Sequence, residues 1–344
     1  MRNIKNYNIY IFIATLTRNI IDIYSVVYLY KQGITINNII AIYAIIYFLG
    51  YFLSYLIINI GNIIGYKYIL IFSSIITGFS FYIIHNTKNI YLISIFLSLS
   101  IFTYHPIRHY YGINLLNKKK KIGITLILIY IASLLSSYLA TIKINNIYLL
   151  IISIISIIPA LFIKKEPKKN INYHIKIDNN KIKFFIFDQF KIIFILLEPL
   201  YLYIIMNNIS FVGIFNIILT ISSILCIYLL SNKINTYKYY KYINIIFTLV
   251  LILKLNIYNK NILLILAIFE GIGVKTNELV STINLYNIKT TNPGYIIISE
   301  QIFSAIRCLI LSIIYFLPFD LKITMYILLI GVFLLSFMYK KKEY

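Results

Sequence analysis

Acidic residues are scarce in this sequence: 10 Asp and Glu stand against 32 Lys and Arg in 344 residues. Charged residues make up only 12% of the chain and hydrophobic residues 60%. A soluble globular domain is about 25% charged and roughly 45–50% apolar. This shortage of charge excludes a water-soluble enzyme, a nucleic-acid-binding module and a disordered chain. It predicts a membrane protein with many crossings.

Cysteine and tryptophan are also nearly missing. The two cysteines, Cys226 and Cys308, lie in apolar runs, where small buried packing groups are expected rather than a disulfide or metal ligands. Tryptophan is absent while Ile, Asn, Lys and Tyr abound, which is typical of an AT-rich genome. There is no G-x-x-x-x-G-K loop for ATP. We expect no cleavable signal, because the first apolar stretch carries Arg18 and Asp22.

Twelve apolar stretches of about 20 residues are present, the length that a membrane-spanning helix needs. They are predicted near 8–30, 38–60, 67–84, 90–112, 122–142, 146–163, 184–206, 211–230, 242–258, 261–286, 295–317 and 322–339. The longest polar break, 164–183, divides them equally. We therefore predict an all-α polytopic protein with a six-helix bundle over 1–163, a basic cytoplasmic linker over 164–183 and a second six-helix bundle over 184–344.

The basic residues predict the orientation of the chain. With a cytoplasmic N-terminus, the cytoplasmic segments hold 22 Lys and Arg. The outer segments then hold six, namely Lys31, Lys88, Lys143, Lys254, Lys260 and Lys322. Such an excess of cytoplasmic positive charge is the positive-inside pattern. Both termini and the linker are therefore predicted to be cytoplasmic, in an inner membrane.

Ionisable residues inside the spans are the candidate functional residues, because a charge at the bilayer centre costs about 2.5–3.5 kcal/mol and generally faces the bundle interior. They fall on spans 1, 4, 7, 10 and 11, whereas the other spans, including span 9, read as uncharged. The candidates for binding substrate or protons are Arg18, Asp22, His105, Glu198, Glu270 and Arg307. Spans 1, 4, 7 and 10 each begin a group of three helices, as expected where the first helix of each repeat lines a cavity.

Structural roles are the alternative for the same charges. Arg18 and Asp22 are i,i+4 neighbours and can pair with each other. Asp188, Lys191, Glu278 and Arg108, near span ends, fit structural ion pairs or snorkelling better than a cavity role. An unpaired Glu198 or Glu270 would instead lose its charge readily on burial, as a proton-coupled carrier requires. Pro106 and Pro199, which follow His105 and Glu198, indicate either bent helices near a site or coincidence.

This layout resembles the major facilitator superfamily, with two six-helix bundles, a basic linker and polar residues on spans 1, 4, 7 and 10. The family's loop between spans 2 and 3, G-x-x-x-D-R-x-G-R-R, is partly matched over 58–67. Gly65 and Lys67 fit the pattern, whereas Asn62 replaces the Asp and Ile63 the Arg. In the family this loop latches the bundles, so the resemblance implies Gly61, Gly65 and Lys67 as gating candidates and alternating access as the mechanism.

The leading interpretation is a secondary transporter for a small solute, proton-coupled if Glu198 or Glu270 is unpaired, and without catalytic activity or cofactor. The alternatives are a lipid or polysaccharide flippase of another twelve-helix fold and a membrane-embedded transferase. The transferase is disfavoured, because the outer loops are short and Asp320 is their one clear carboxylate. We expect lipid and a small molecule as partners, no nucleic acid, no bound metal and a monomeric chain.

Overall fold

The computed structural model describes residues 2–115, 119–141, 146–165, 168–173, 179–230, 236–286, 293–317 and 320–338. These residues form thirteen α-helices and no strand. The helices are α1 (Arg2–Lys31), α2 (Ile36–Ile64), α3 (Tyr66–Asn86), α4 (Ile90–Leu115), α5 (Lys119–Thr141), α6 (Asn146–Ile155), α7 (Ile157–Leu161), α8 (Asn179–Met206), α9 (Ile209–Leu230), α10 (Thr236–Asn256), α11 (Lys260–Tyr286), α12 (Pro293–Phe316) and α13 (Leu321–Met338).

The twelve predicted spans are confirmed as helices. Only Ser156 separates α6 from α7, and together these two helices cover the sixth span. Eight helices in the described part of the chain are long and apolar enough to cross a membrane. Large apolar side chains such as Phe48, Phe52 and Phe316 are exposed, which suits a surface that meets lipid rather than water.

Asparagine and threonine side chains begin several helices. Thr35 Oγ1 accepts a hydrogen bond from the Asn38 amide at the start of α2. Asn89, Asn208 and Asn259 accept amide hydrogen bonds at the starts of α4, α9 and α11. Each side chain satisfies amides that have no partner inside their helix. The asparagines that composition ascribes to an AT-rich genome therefore have a local structural role at these ends.

The chain forms two compact units. The first contains residues 1–132, 143–176 and 289–317, in which α2 packs against α4 and α12, and α3 packs against α4 and α6. The second contains residues 133–142, 177–288 and 318–344, in which α9 packs against α11, and α13 against α8 and α10. Helix α12 thus lies in the first unit although it comes late in the sequence. The division into bundles over 1–163 and 184–344 stays a prediction.

Candidate functional site

The second unit contains a buried triad of ionic side chains, Glu198 on α8, Lys254 on α10 and Glu270 on α11. Lys254 Nζ donates to Glu198 Oε1 and, at 2.7 Å, to Glu270 Oε2. Lys254 and Glu270 are 0% exposed and Glu198 is 5% exposed. Two carboxylates therefore share one ammonium group away from solvent.

Aromatic rings surround the ammonium end of this triad. Lys254 Nζ lies 5.2 Å from the ring centroid of Phe194 and 5.5 Å from that of Phe215. Both distances are within the range of a cation–π interaction. Glu270 Oε1 is buried and accepts no hydrogen bond from the described residues. The lysine is thus fixed by two acids and two rings, while one carboxylate oxygen retains an open acceptor position.

The placement of Lys254 corrects two predictions from the sequence. Lys254 is not an outer-loop residue, and the ninth span is not uncharged, because α10 continues to Asn256. Glu198 and Glu270 both pair with Lys254, so neither is the unpaired carboxylate that the sequence argument for proton coupling requires. The sequence contains a pattern that indicates the buried position of Lys254. Phe247, Leu251 and Lys254 are spaced by four and three residues, which places them on one face of a helix, and all three are buried.

Arg18 on α1 is the centre of a second polar region, in the first unit. It is 2% exposed, its Nη1 donates to the Ser100 carbonyl at 2.6 Å, and its Cζ lies 4.6 Å from the Tyr104 ring centroid. A cavity beside it has room for about one water molecule. The other lining residues are Tyr10, Ala14, Thr17, Ser73, Ser74, Thr77, Tyr104 and Ser156. The side chain of Asp22 lies outside the described residues, so its pairing with Arg18 stays a prediction.

His105 and Arg307 are in the same unit, on α4 and α12. The His105 ring centroid lies 5.3 Å from that of Tyr104 and 6.4 Å from that of His109. Arg307 Cζ lies 5.0 Å from the Tyr47 ring centroid. Three sequence candidates, Arg18, His105 and Arg307, therefore belong to the first unit.

Glu300 on α12 contacts His109 on α4, with 2.6 Å between Glu300 Oε1 and His109 Nδ1. The sequence places both residues in spans without indicating that they meet. The contact joins helices separated by about 190 residues in sequence, and such a tertiary contact leaves no local signal.

Two further ion pairs form within single helices. Lys191 pairs with Asp188 on α8, and Lys275 pairs with Glu278 on α11, both at a spacing of three residues. These contacts agree with the structural alternative for these charges. In the described residues, no three His, Cys, Asp or Glu side chains come together as metal ligands.

Residues 58–67, which the sequence predicts as a loop, belong to the end of α2 and the start of α3, and only Gly65 separates the two helices. Gly65 has φ 115°, a left-handed value that favours glycine, and its amide donates to the Gly61 carbonyl at 2.8 Å. Asn62, which replaces the family's Asp, donates to the Lys169 carbonyl at 2.7 Å and accepts from the Lys169 amide at 2.9 Å. Lys67 lies 5.0 Å from the Tyr68 ring centroid. The gating role of this loop stays a prediction.

The sequence matches no known family model, and no curated protein is similar to it at a significant level. Its structure, however, is similar to those of solved transporters. A bacterial homologue of the iron transporter ferroportin in the outward-facing state has a TM-score of 0.64 and 12% identity, covering 98% of both chains.

Two other solved structures are similar over a comparable length. The nucleoside transporter NupG has a TM-score of 0.65 and 13% identity, covering 99% of this chain and 100% of that one. The human organic anion transporter MFSD10 (TETRAN) has a TM-score of 0.66 and 9% identity, covering 98% of both chains. Identities this low show a shared fold. The chain is therefore a multi-pass membrane protein with the major facilitator fold that its sequence resembles.

Proposed function

We propose that this chain is a secondary transporter that moves a small solute across the membrane by alternating access, with proton coupling at the triad of Glu198, Lys254 and Glu270. The observation that carries the proposal is the composition of this buried triad, in which two carboxylates share one ammonium group. The fold shared with iron, nucleoside and organic anion transporters supports the assignment to transport.

The triad has a charge that depends on one proton. With all three groups ionised it carries one net negative charge, and with one carboxylate protonated it is neutral. A net charge buried in a membrane protein is costly, so conformations that differ in the burial of the triad differ in their affinity for that proton. A proton bound more tightly in one conformation than in another shifts the balance between them. This is the coupling that a proton-driven carrier requires.

The proposal includes the orientation of the chain. The protein lies in the inner membrane, with both termini and the linker on the cytoplasmic side. Removing Lys254 from the six outer basic residues leaves five, against 22 on the cytoplasmic side. A cysteine introduced at Asn170 in the linker should react with an impermeant thiol reagent only from the cytoplasmic face. Labelling from the outside would reverse the assigned orientation.

The alternatives from the sequence receive less support. The flippase alternative implies another twelve-helix fold, whereas this chain shares its fold with solute transporters. A transferase would need acidic groups on a sizeable outer loop, and Asp320 lies on a connection of only a few residues between α12 and α13. The proposal assigns no catalytic activity to the chain.

Reconstituted vesicles test the proposal. Proteoliposomes loaded with a cellular small-molecule extract are compared with protein-free vesicles by mass spectrometry of the released solutes, with and without a pH gradient. We expect protein-dependent release that the gradient accelerates. Glu270→Gln should abolish the response to the gradient, because the substituted amide does not take up the proton. Asp320→Asn, which removes an exposed carboxylate, should retain the response. Release equal to that of protein-free vesicles would refute transport, and an unchanged gradient response in Glu270→Gln would refute the coupling.

A further inference from the structure

We propose that Lys5, Lys67, Lys165 and Lys168, here named the lysine cluster, bind the phosphate group of an anionic phospholipid at one end of the first unit. Lys5 and Lys67 are near the starts of α1 and α3, and the other two follow α7. All four belong to the first unit. The inference does not depend on the proposed transport activity, because it concerns a contact with the bilayer rather than with a solute.

The cluster forms because three segments of the chain meet at this end of the unit. Asn6 Nδ2 donates to the Phe162 carbonyl at 2.9 Å, which joins the start of α1 to the residue after α7. A Cβ atom on Gly65 would lie 3.2 Å from Lys165 Cγ, so the stem of Lys165 covers the junction of α2 and α3. The cluster's lysine on α1 directly precedes Asn6, and its lysine on α3 follows Gly65 by two residues. Contacts between the segments thus place three of the four lysines.

Two asparagines of α2 hold the rest of the linker segment against the same helix end. The Asn62 side chain donates to the Lys169 carbonyl at 2.7 Å and accepts from the Lys169 amide at 2.9 Å. Tyr173 Oη donates to Asn59 Oδ1 at 2.7 Å. Because both backbone groups of its neighbour in sequence are bonded, the exposed Lys168 is held beside the end of α2. Hydrogen bonds therefore set the backbone positions from which the lysine side chains extend.

Positive charge dominates this end of the unit. The three segments, 1–10, 58–70 and 164–173, hold seven Lys and Arg and one acid, Glu166. Glu166 is outside the described residues, and the ion pairs between described residues involve none of the four cluster lysines. Seven basic side chains against one ionised Glu166 leave a net charge of +6. Groups of about four to eight basic residues beside a membrane-spanning helix are typical of sites for anionic lipid.

Exposed apolar side chains beside the lysines favour a lipid as the occupant. Ile63 at the end of α2, and Leu161 and Phe162 at the end of α7, are exposed. Tyr68 is also exposed, and its ring centroid lies 5.0 Å from Lys67 Nζ. Tyrosine and lysine side chains are favoured where the acyl chains of a bilayer meet its headgroups. A phospholipid covers both kinds of surface, whereas inorganic phosphate would neutralise the charges and leave the apolar side chains uncovered.

Fluorescence quenching tests the site, because the sequence contains no tryptophan and a single introduced one reports on its own surroundings. Phe162→Trp places this reporter beside the lysine cluster. The purified protein is reconstituted in phosphatidylcholine with increasing fractions of brominated phosphatidylglycerol or brominated phosphatidylcholine. Bromine quenches tryptophan on contact, so quenching measures which lipid lies next to the reporter. We expect phosphatidylglycerol to be preferred about tenfold or more, and the preference to fall at high salt because the charges are screened.

A second reporter at the opposite end of the same unit is the matched control. Gln301 donates to the Tyr51 carbonyl and Arg307 lies beside the Tyr47 ring, so α12 runs antiparallel to α2. Phe316, exposed at the end of α12, therefore lies far from the lysine cluster. Phe316→Trp should show no preference for phosphatidylglycerol. An equal preference at both ends would overturn the inference.

Removal of charge assigns the preference to the cluster. In the Phe162→Trp background, Lys165→Gln/Lys168→Gln should lower the preference about fivefold or more, because two basic groups are lost at an anionic surface. Lys88→Gln removes an exposed lysine at the other end of α3 and should leave the preference unchanged. Lys5→Gln/Lys168→Gln replaces the first variant if that variant does not fold. An unchanged preference in the cluster variant would overturn the inference.

Two further outcomes separate a lipid from other anionic partners. Inorganic phosphate should lower the preference no more than sodium chloride does at equal ionic strength. Stronger displacement by phosphate would show a site for a free oxyanion, and equal quenching by the two lipids would leave a soluble acidic protein as the occupant. Either result would overturn the inference.

Discussion

Lys254 Nζ lies 2.7 Å from Glu270 Oε2 between α10 and α11, and both side chains are completely buried. The same ammonium group also binds Glu198 on α8. One lysine thus joins three helices that are separated in sequence. Its removal would affect both the stability of the second unit and the charge of its interior.

Lys254→Met should destabilise the protein strongly, because it leaves two buried carboxylates without their shared counter-ion. A loss of about 3–5 kcal/mol in the free energy of unfolding is expected for breaking a buried pair from one side. Denaturant unfolding in detergent measures it. Lys260→Met removes an exposed lysine and should cost little. The triple variant Lys254→Met/Glu198→Gln/Glu270→Gln should recover part of the loss; failure to recover any would contradict the charge argument.

Asn62→Ala should release the linker from the C-terminal end of α2. The variant loses two hydrogen bonds to the Lys169 backbone, and at about 1 kcal/mol each this corresponds to roughly thirtyfold more frequent opening. Limited trypsin digestion at linker lysines should accelerate accordingly. Asn86→Ala, which removes a hydrogen bond within α3 only, should leave the rate unchanged. Equal digestion of both variants would show that Asn62 does not hold the linker.

His109 and Glu300 should show energetic coupling in a double-mutant cycle. Since their atoms lie 2.6 Å apart and Glu300 is nearly buried, the coupling energy should fall at about 0.5–3 kcal/mol. Denaturant unfolding of the wild type, His109→Gln, Glu300→Gln and the double variant in detergent measures it. Additive effects of the two substitutions would mean that the contact contributes nothing to stability.

Gly271→Ala should be poorly tolerated, because a Cβ at this position would lie 2.3 Å from the Leu219 carbonyl oxygen of α9. Helices α9 and α11 would have to separate, at a cost of about 1–3 kcal/mol. Gly78→Ala is the matched control, since its Cβ would meet nothing closer than 3.3 Å. Comparable thermal stabilities for the two variants would show that the close approach of α9 and α11 is dispensable.

The helices were predictable because their signal is local. Each span is an apolar run bounded by Asn, Gly, Pro or Lys, and every predicted span corresponds to a helix in the structure. The candidate residues were predictable in part, since charge inside an apolar run is itself visible in sequence. Lys254 was not predicted to be buried, because it lies near the end of its apolar run. At such a position the sequence does not distinguish a lysine at the membrane boundary from one inside the helix bundle.

Partners could not be predicted in the same way. Nothing near Glu198 in sequence indicates Lys254, and nothing near His109 indicates Glu300, because these contacts depend on how separate helices pack. The family loop shows the same limit. In the sequence, Asn62 stands where the family pattern has Asp and suggests a lost contact. In the structure, its side chain forms two hydrogen bonds to the Lys169 backbone of the linker.

The amino-acid sequence alone determined that this chain is helical and lies in a membrane, because apolar length and charge content act locally, residue by residue. Tertiary structure decided which ionisable groups meet: Lys254 with Glu198 and Glu270 in one unit, and His109 with Glu300 in the other. The physical reason is that a buried ionic side chain is stable only beside a suitable partner, and helix packing alone selects that partner.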